Sequence, residues 1–356
     1  MTELELDITA LAAGGDGLGR DPSGRVTFVP RTAPGDRVRV RIVKATSSFA
    51  RAELLEVLAP SPERVAPPCE YFLAGCNGCQ WQHVARPAQL AAKQAIVEGA
   101  LRRLAGLVVE RIADPCPPLG WRRRARFHVR AGQVGLYRAD SHDVVPVAHC
   151  PQLEPALDAA LGRAIANHPP DGELELLAGH RGDVAAGSET VELEPGLDVR
   201  ADEFAQASAA GNAALVAVAR AALGPGPGRL LELYAGGGNF TRAFAADGWD
   251  VVPSDSVRPT APPPQFVHGA AAEVLGREAG PFDAIVLDPP RSGAKDAIAG
   301  IARHAARVVV YVSCDPATLA RDAQQLVAAG YRAERAWPID VMPQTAHVEV
   351  VLRLVR

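Results

Sequence analysis

Cys314 stands where a buried strand ends and a helix begins. In YVSCDPATLARD, residues 311–322, the run RVVVY has the β-branched character of a fully buried strand. Asp315 and Pro316 read as an N-cap and first helical residue, with an alanine- and leucine-rich helix behind them. A small apolar filler would explain a cysteine at such a junction. So would a nucleophile presented at the rim of an α/β sheet, where open α/β folds hold their ligands. A free thiol ionises near about 8.5, and a helix N-terminus directly behind it is expected to lower that value. Glu349 lies near the start of HVEVVLRL, which reads as the last strand. If that strand runs antiparallel to the others, its beginning shares an edge with their ends. Glu349 then comes within reach of Cys314 as a carboxylate base.

LELYAGGGNFT reads as a strand, a glycine turn and a helix start. Glycines there let the backbone approach a ligand closely, and the helix N-terminus favours a carboxylate or phosphate. The motif is neither G-x-G-x-x-G nor a P-loop, which weakens dinucleotide and nucleoside triphosphate readings. Asp255 ends the next strand, 23 residues beyond Glu232, where an acceptor for ribose hydroxyls is expected. Together these features suggest an adenosine-containing ligand, with S-adenosylmethionine the leading candidate. Asp288 of LDPPRSG is placed for a substrate or cofactor polar group at the sheet rim. In amino-directed methyltransferases a related motif ends in an aromatic that stacks the target base. Arg291 occupies that position here, which disfavours methylation of an exocyclic amine.

A thiolate and a carboxylate base beside a methyl donor suit carbon methylation of a pyrimidine. The thiolate adds to ring carbon 6 and makes carbon 5 nucleophilic enough to take the methyl. The base removes the carbon 5 proton, and elimination frees the enzyme. Cytosine-5 methylation uses the same thiolate with an added acid for the ring nitrogen, and the residues alone leave both open.

The other five cysteines lie at 69, 76, 79, 116 and 150, the first three within eleven residues. In a cytosolic chain they are not expected to form disulfides. Four thiolates serve zinc or an iron–sulfur cluster equally well by count. The spacing is not C-x₃-C-x₂-C, which speaks against cluster-initiated radical chemistry. Cys116, within DPCPP, reads as a spare structural thiol, and His83 and His149 as satisfied side chains rather than further ligands.

These groups need elements to hold them. The 356 residues are 48% hydrophobic, enough for two or three domains with real cores. Residues 1 to about 58 read as short strands with glycine turns, the pattern of a small antiparallel barrel such as oligonucleotide-binding modules use. SPERVAPP follows as a linker, then the cysteines, a helix from about Pro87 to Leu104, and strand-like alternation from Trp121 to Val147. Residues 151–200 are the least informative. From Ala201 onward, RLLELYAGGG, WDVVPSD, FDAIVLDPP and ARVVVYVSCD alternate with helix-like stretches, the reading of a doubly wound parallel sheet. The net charge of −4 gives no global argument for nucleic acid. Locally, Arg20 to Arg51 holds eight Arg or Lys against two acids, and Trp121 to Arg138 holds six arginines and no acid. Such patches are compatible with phosphate contacts. MTELELDITA carries charges where a signal peptide's apolar core would be, and no window has the roughly 20 apolar residues of a membrane helix. A cytoplasmic location away from membranes is expected.

VSCDPATLARD, DPPRSGA, MPQTAHVEVV, LYAGGGNFT and RVAPPCEYFLAGCNGCQWQH together resemble the S-adenosylmethionine-dependent RNA uracil-5 methyltransferases, in the branch with an N-terminal TRAM domain and an iron–sulfur cluster. The resemblance covers nearly the whole chain and is weakest over 151–200. It implies a TRAM/OB-like barrel over 1–58 that binds RNA, a central cluster-bearing α+β domain over 59–200, and an α/β, Rossmann-like methyltransferase domain over 201–356. It makes Cys314 the nucleophile and Glu349 the base. Gln206, Tyr234, Asn239, Asp255 and Asp288 would line the cofactor site, and Cys69, Cys76, Cys79 and Cys150 would hold a 4Fe-4S cluster, with zinc as the alternative. Six residues separate Cys69 from Cys76 where five are more usual, and Ser208 stands where asparagine is usual. The implied partner is RNA, ribosomal before transfer RNA, met by a monomer. The competing reading from another class is a non-catalytic RNA-binding or redox protein built on the barrel and the metal cluster alone.

Overall fold

The structure is a computed structural model and describes residues 2–278 and 280–356. Five strands, β1 (Glu3–Leu11), β2 (Gly17–Arg20), β3 (Val26–Val29), β4 (Arg37–Ala45) and β5 (Phe49–Ala59), close into a barrel in the order β1-β2-β3-β5-β4. Alternation sends Leu6, Ile8, Val38 and Val40 inward and the arginines of β4 outward. That outer face is not a free basic patch. The register sets Arg41 opposite Glu3 and Glu53, and Arg39 opposite Glu5 and Glu56. Arg37 pairs with Glu5, Arg25 with Asp21 and Arg51 with Asp16. Four glutamates outside the Arg20–Arg51 window, on the strands flanking β4, thus offset the charge of Arg37, Arg39 and Arg41.

A short helix α1 (Glu70–Leu73) and the longer α2 (Arg86–Leu101) follow, α2 starting with Pro87 in its first turn. The two-residue strand β6 (Val108–Val109) comes next. The arginine-bearing stretch forms β7 (Arg124–Arg130), β8 (Gln133–Tyr137) and β9 (Val144–Pro146). Residues 151–200 hold α3 (Pro155–Ala166), β10 (Gly172–Ala178), β11 (Val184–Ala186), β12 (Thr190–Glu194) and β13 (Leu197–Arg200). A five-stranded sheet runs β11-β10-β7-β8-β9, and β12-β13 form a separate hairpin. On β7 the odd residues Ala125, Phe127 and Val129 face the core, so Arg124, Arg126, His128 and Arg130 share the other face. There the rings of His128 and Tyr137 stack with centroids 3.6 Å apart. Arg126 is matched by Glu173 and Glu175, and Arg123 is buried against Glu194.

The remaining elements are α4 (Ala209–Leu223), β14 (Gly228–Leu233), α5 (Thr241–Ala246), β15 (Trp249–Asp255), β16 (Val267–His268), α6 (Ala271–Arg277), β17 (Ala284–Leu287), α7 (Ile298–His304), β18 (Val308–Ser313), α8 (Pro316–Ala328), β19 (Arg332–Ile339) and β20 (Glu349–Val355). They build an eight-stranded sheet in the order β16-β15-β14-β17-β18-β20-β19-β6. β14 to β18 are mutually parallel, and β20 inserts antiparallel between β18 and β19. The strands read as continuous apolar runs because helices cover both faces. β6 pairs with β19, and Val97, Leu101 and Leu104 lie in the sheet's core, so α2 and β6 pack with the last region of the chain. Among the described residues no helix is long and apolar enough to cross a membrane.

One buried ion-pair cluster ties α2 to the loop after β19. Lys93 is fully buried, donates to Asp340 at 2.6 Å, and sits 5.8 Å from the Trp81 ring. Burial lowers its pKa to about 8 against the pull of Asp340. Arg86 donates to the other Asp340 oxygen at 2.5 Å. Removing the shared carboxylate leaves a buried ammonium uncompensated. Asp340→Asn is expected to cost about 3–5 kcal/mol in chemical unfolding. Lys93→Met, which leaves Asp340 paired with Arg86, is expected to cost clearly less.

Candidate active site

Register brings the proposed site residues to one edge of the large sheet. Leu233 of β14 pairs with Ser254 of β15 and with Leu287 of β17, so Tyr234, Asp255 and Asp288 follow in one row. Leu287 pairs with Tyr311, which carries Cys314 just beyond the end of β18 at the same edge. Ser313 pairs with Val350 in the antiparallel match of β18 and β20. Continuing that register by one residue sets Cys314 opposite Glu349.

The charges around the thiol are strong and mostly of one sign. Cys314 is half-buried; desolvation, then Glu349, then Asp288 push its pKa up to about 11, with Arg291 pulling the other way. Burial and the two carboxylates outweigh whatever lowering the helix behind it supplies. Asp315 does cap α8, but its own carboxylate accepts from the Ala317 and Thr318 N–H groups at 2.9 Å. The helix end is thus occupied by an anion before it can favour a thiolate. Glu349 is buried, and burial followed by repulsion from Asp288 lifts its carboxyl to about 8 while Arg291 opposes. Asp288 is lifted to about 7 by burial. Glu232, at 1% exposure, is pushed up to about 8 by desolvation; Thr241 donates to one of its oxygens at 2.6 Å, and the other has no hydrogen-bond partner.

Two groups escaped the sequence reading as members of this site. Arg291 supplies positive charge to both Cys314 and Glu349, and its guanidinium donates to His347 Nε2 at 3.1 Å. Burial and Arg291 hold the His347 imidazole down to about 4, so it is neutral and accepts. A histidine two residues before the candidate base, within a stretch already singled out, was the available signal.

The glycine turn is built as a close approach. Tyr234 has φ +61° and Gly236 φ +52°, and Asp255 accepts from the Gly236 and Val257 N–H groups at 3.0 and 2.9 Å. The Asp255 carboxylate thus fixes the turn it was expected to complement. Asn239 faces Asn212 of α4 in a reciprocal amide pair of 2.8 and 3.0 Å. Gln206 is half-buried and its carbonyl accepts from Arg123 at 3.1 Å. Ser208, at the position where asparagine was noted as usual, caps α4 by accepting from Gly211 at 3.0 Å.

Cys69, Cys76, Cys79 and Cys150, drawn from α1's N-cap, two loop positions and the segment before α3, line one small cavity with Gln82, Arg122 and Gln152. All are free thiols. Among the described residues no group of three or more His, Cys, Asp or Glu side chains is arranged to hold a metal ion as it stands. The thiols do sense one another: burial raises Cys76, Cys79 (to about 12) and Cys150, neighbouring cysteines raise each further, and Arg122 lowers all three. The Gly78 N–H donates to Cys76 Sγ at 3.4 Å, while Arg122 Nε and Gln152 Nε2 are buried donors without acceptors. His83 stacks on Phe72, and His149 lies edge-on to Tyr71. Cys116 is buried 3.1 Å from the Ser208 hydroxyl, apart from the other four.

Residues 2–55 match the TRAM domain family, and residues 278–356 match the tRNA (Uracil-5-)-methyltransferase family. A 23S rRNA (uracil(1939)-C(5))-methyltransferase RlmD of Pseudomonas putida is 33% identical over 97% of this chain and 92% of its own length. The protein of that name from Thiobacillus denitrificans is also 33% identical, over 97% of this chain and 98% of its own. The chain belongs to the RNA uracil-5 methyltransferases. Its fold follows that of the Pyrococcus abyssi tRNA (uracil-54, C5)-methyltransferase, solved with S-adenosyl-L-homocysteine, at a TM-score of 0.75 and 22% identity over 99% of this chain and 100% of that one.

Because Glu349 helps hold the Cys314 proton, removing that charge should release it. Carbamidomethylation of Cys314 in the free protein is expected to rise steadily from pH 7 to pH 10. In Glu349→Gln the profile should move to lower pH, read by peptide mass spectrometry with Cys314→Ser as the blank. An unmoved profile would separate the two groups.

Proposed function

We propose that the protein transfers a methyl group from S-adenosylmethionine to carbon 5 of one uridine in RNA, and that this uridine lies in large-subunit ribosomal RNA. The observation that supports the reading is the register of β18 against β20, whose continuation by one residue brings the Cys314 thiol towards the Glu349 carboxyl at the end of the parallel strands. The names of the relatives favour ribosomal RNA as the substrate.

S-adenosylmethionine supplies an electrophilic methyl on a sulfonium. Once its thiol proton has passed to solvent, Cys314 Sγ forms a bond to carbon 6 of the extruded base, and the electron pair displaced from the 5,6 double bond makes carbon 5 the nucleophile that takes the methyl, with S-adenosylhomocysteine as the leaving group. Glu349 removes the carbon 5 proton, the 5,6 double bond re-forms, and the sulfur leaves as thiolate. Glu232, Asp255 and Asp288 suit a ligand that carries sulfonium and ammonium charges, and the unpartnered Glu232 oxygen is a buried acceptor in want of a donor. Tyr234, Asn239 and Gln206 complete the set expected to line that ligand. Cys69, Cys76, Cys79 and Cys150 fit a 4Fe-4S cluster: Arg122 and Gln152 would then find sulfur acceptors for their orphaned N–H groups. The cluster is read as structural, and the protein as a cytoplasmic monomer.

Four outcomes test this. Cys314→Ser should abolish both methylation and the covalent adduct formed on RNA containing 5-fluorouridine, whereas full turnover by the serine variant would remove the nucleophile. Affinity for S-adenosylmethionine should rise between pH 6 and pH 9: cation binding favours ionised carboxyls, and Asp288 and Glu232, with pKa values raised to about 7 and about 8, shed protons across that window. Calorimetry with a flat pH profile would break the charge argument. Protein purified without oxygen should absorb in the visible range of iron–sulfur clusters; a colourless, zinc-loaded sample would reassign the four cysteines. Loss of 5-methyluridine from transfer RNA rather than ribosomal RNA in a deletion strain would change the substrate.

A further inference from the structure

Gln344 is the most constrained residue near the site that the chemistry does not use. It has φ +66°, a left-handed conformation that non-glycine residues seldom adopt, and it is 8% exposed. Residues 340–348, between β19 and β20, belong to neither strand, so no sheet ladder orients them. Their course is set by other bonds, several of which converge on Gln344. Its carbonyl accepts from the Gln80 and Trp81 N–H groups at 3.1 and 2.9 Å. Its N–H donates to Gln89 Oε1 at 3.1 Å, and its Oε1 accepts from Gln89 Nε2 at 2.8 Å. Two residues later the Ala346 N–H donates to Gln80 Oε1 at 3.3 Å, and two residues earlier the Met342 carbonyl accepts from Lys93 at 3.1 Å.

The grip is backed by the barrel. Trp81 Nε1 donates to the Gly15 carbonyl at 2.9 Å. Gly15, at φ +101°, passes so near that a Cβ there would lie 2.8 Å from Gln80 and 3.6 Å from Ala346. Beyond the gripped segment come His347, which holds Arg291, and Glu349. Cys314 is carried separately, by β18 and α8.

We propose that Gln344 is a positioning residue for Glu349, held in its left-handed conformation by Gln80, Trp81 and Gln89 so that the start of β20 is presented at one height to the reacting base. The inference rests on Glu349 acting as the base that resolves the covalent intermediate. Backbone strain maintained by many bonds beside a catalytic edge is a recurrent device for such presentation. It predicts an asymmetry: disturbing the grip displaces Glu349 and leaves Cys314 in place, so adduct forms and resolution slows.

Gln344→Val tests it, because a β-branched residue resists positive φ, while Gln344→Gly tolerates that φ and keeps the three backbone bonds. With ordinary uridine RNA and denaturing quench, the valine variant is expected to accumulate RNA–protein adduct. Its kcat should fall on the order of 10- to 100-fold, the loss typical of a misplaced catalytic group, with the KM for S-adenosylmethionine within about twofold. The glycine variant should recover most of kcat. Wild-type kcat without adduct in Gln344→Val, or a parallel loss of adduct formation and turnover in a folded protein, overturns the proposal. If the valine variant does not fold, Gln80→Ala, which removes the Ala346 acceptor together with the amide's bonds to Asn77, must still raise the adduct fraction, and an unchanged fraction is equally fatal. Glu349→Gln separates the two levels: absence of adduct there removes the base assignment itself, whereas adduct there but not in Gln344→Val removes only the positioning role.

Discussion

The insertion of β20, antiparallel, between β18 and β19 is the constraint on which the site depends. A parallel last strand would have put Glu349 at the far edge of the sheet, a strand length away from Cys314. Antiparallel pairing brings residues separated by 35 positions in sequence to the same end of one ladder. Because side chains alternate faces along a strand, a slip of one residue would aim the carboxyl into the opposite layer. The apolar neighbours Val350, Val351 and Leu352, all buried, bind that register to the core.

Crowding of like charge follows from the same geometry. Asp288 raises both Glu232 and Glu349, each already raised by burial, and the thiol near Glu349 and Asp288 is raised as well. Arg291 is the principal counter-charge, steadied by a neutral His347. A site of this kind holds its protons until a cation arrives, which fits a ligand whose reacting centre is a sulfonium. The raised thiol is then a consequence of burial and the neighbouring carboxyls rather than of cysteine itself.

The cysteine-bearing loop reaches the same edge by another route. Gln80 and Trp81 follow Cys79 directly and bond to Gln344, and Trp81 packs with Leu11, Ala33, Val84 and Ala346 in one small apolar cluster. Barrel, cysteine loop and large sheet therefore meet within a few side chains of the strand that carries the candidate base. The barrel's arginines, matched by glutamates across β1, β4 and β5, contribute cross-strand order more than free charge.

Much was legible in the sequence alone. β-branched runs marked the buried strands, Asp315 marked a helix start, and the glycine turn and Asp255 fell at one end of neighbouring strands, because capping, periodicity and turn chemistry act over a few residues. Cys314 and Glu349 could be paired by assuming the direction of one strand. What the sequence could not supply were quantities summed over distant groups. The thiol's pKa moved up rather than down because burial and two carboxylates outweighed a helix end already filled by Asp315. The neutralised barrel face, the place of α2 and β6 in the large sheet's packing, the Arg291–His347 contact and the left-handed turn at Gln344 were likewise decided only when the chain closed on itself. Local propensity ranges over a turn of helix, whereas register, desolvation and through-space charge depend on what arrives from the far end of the chain.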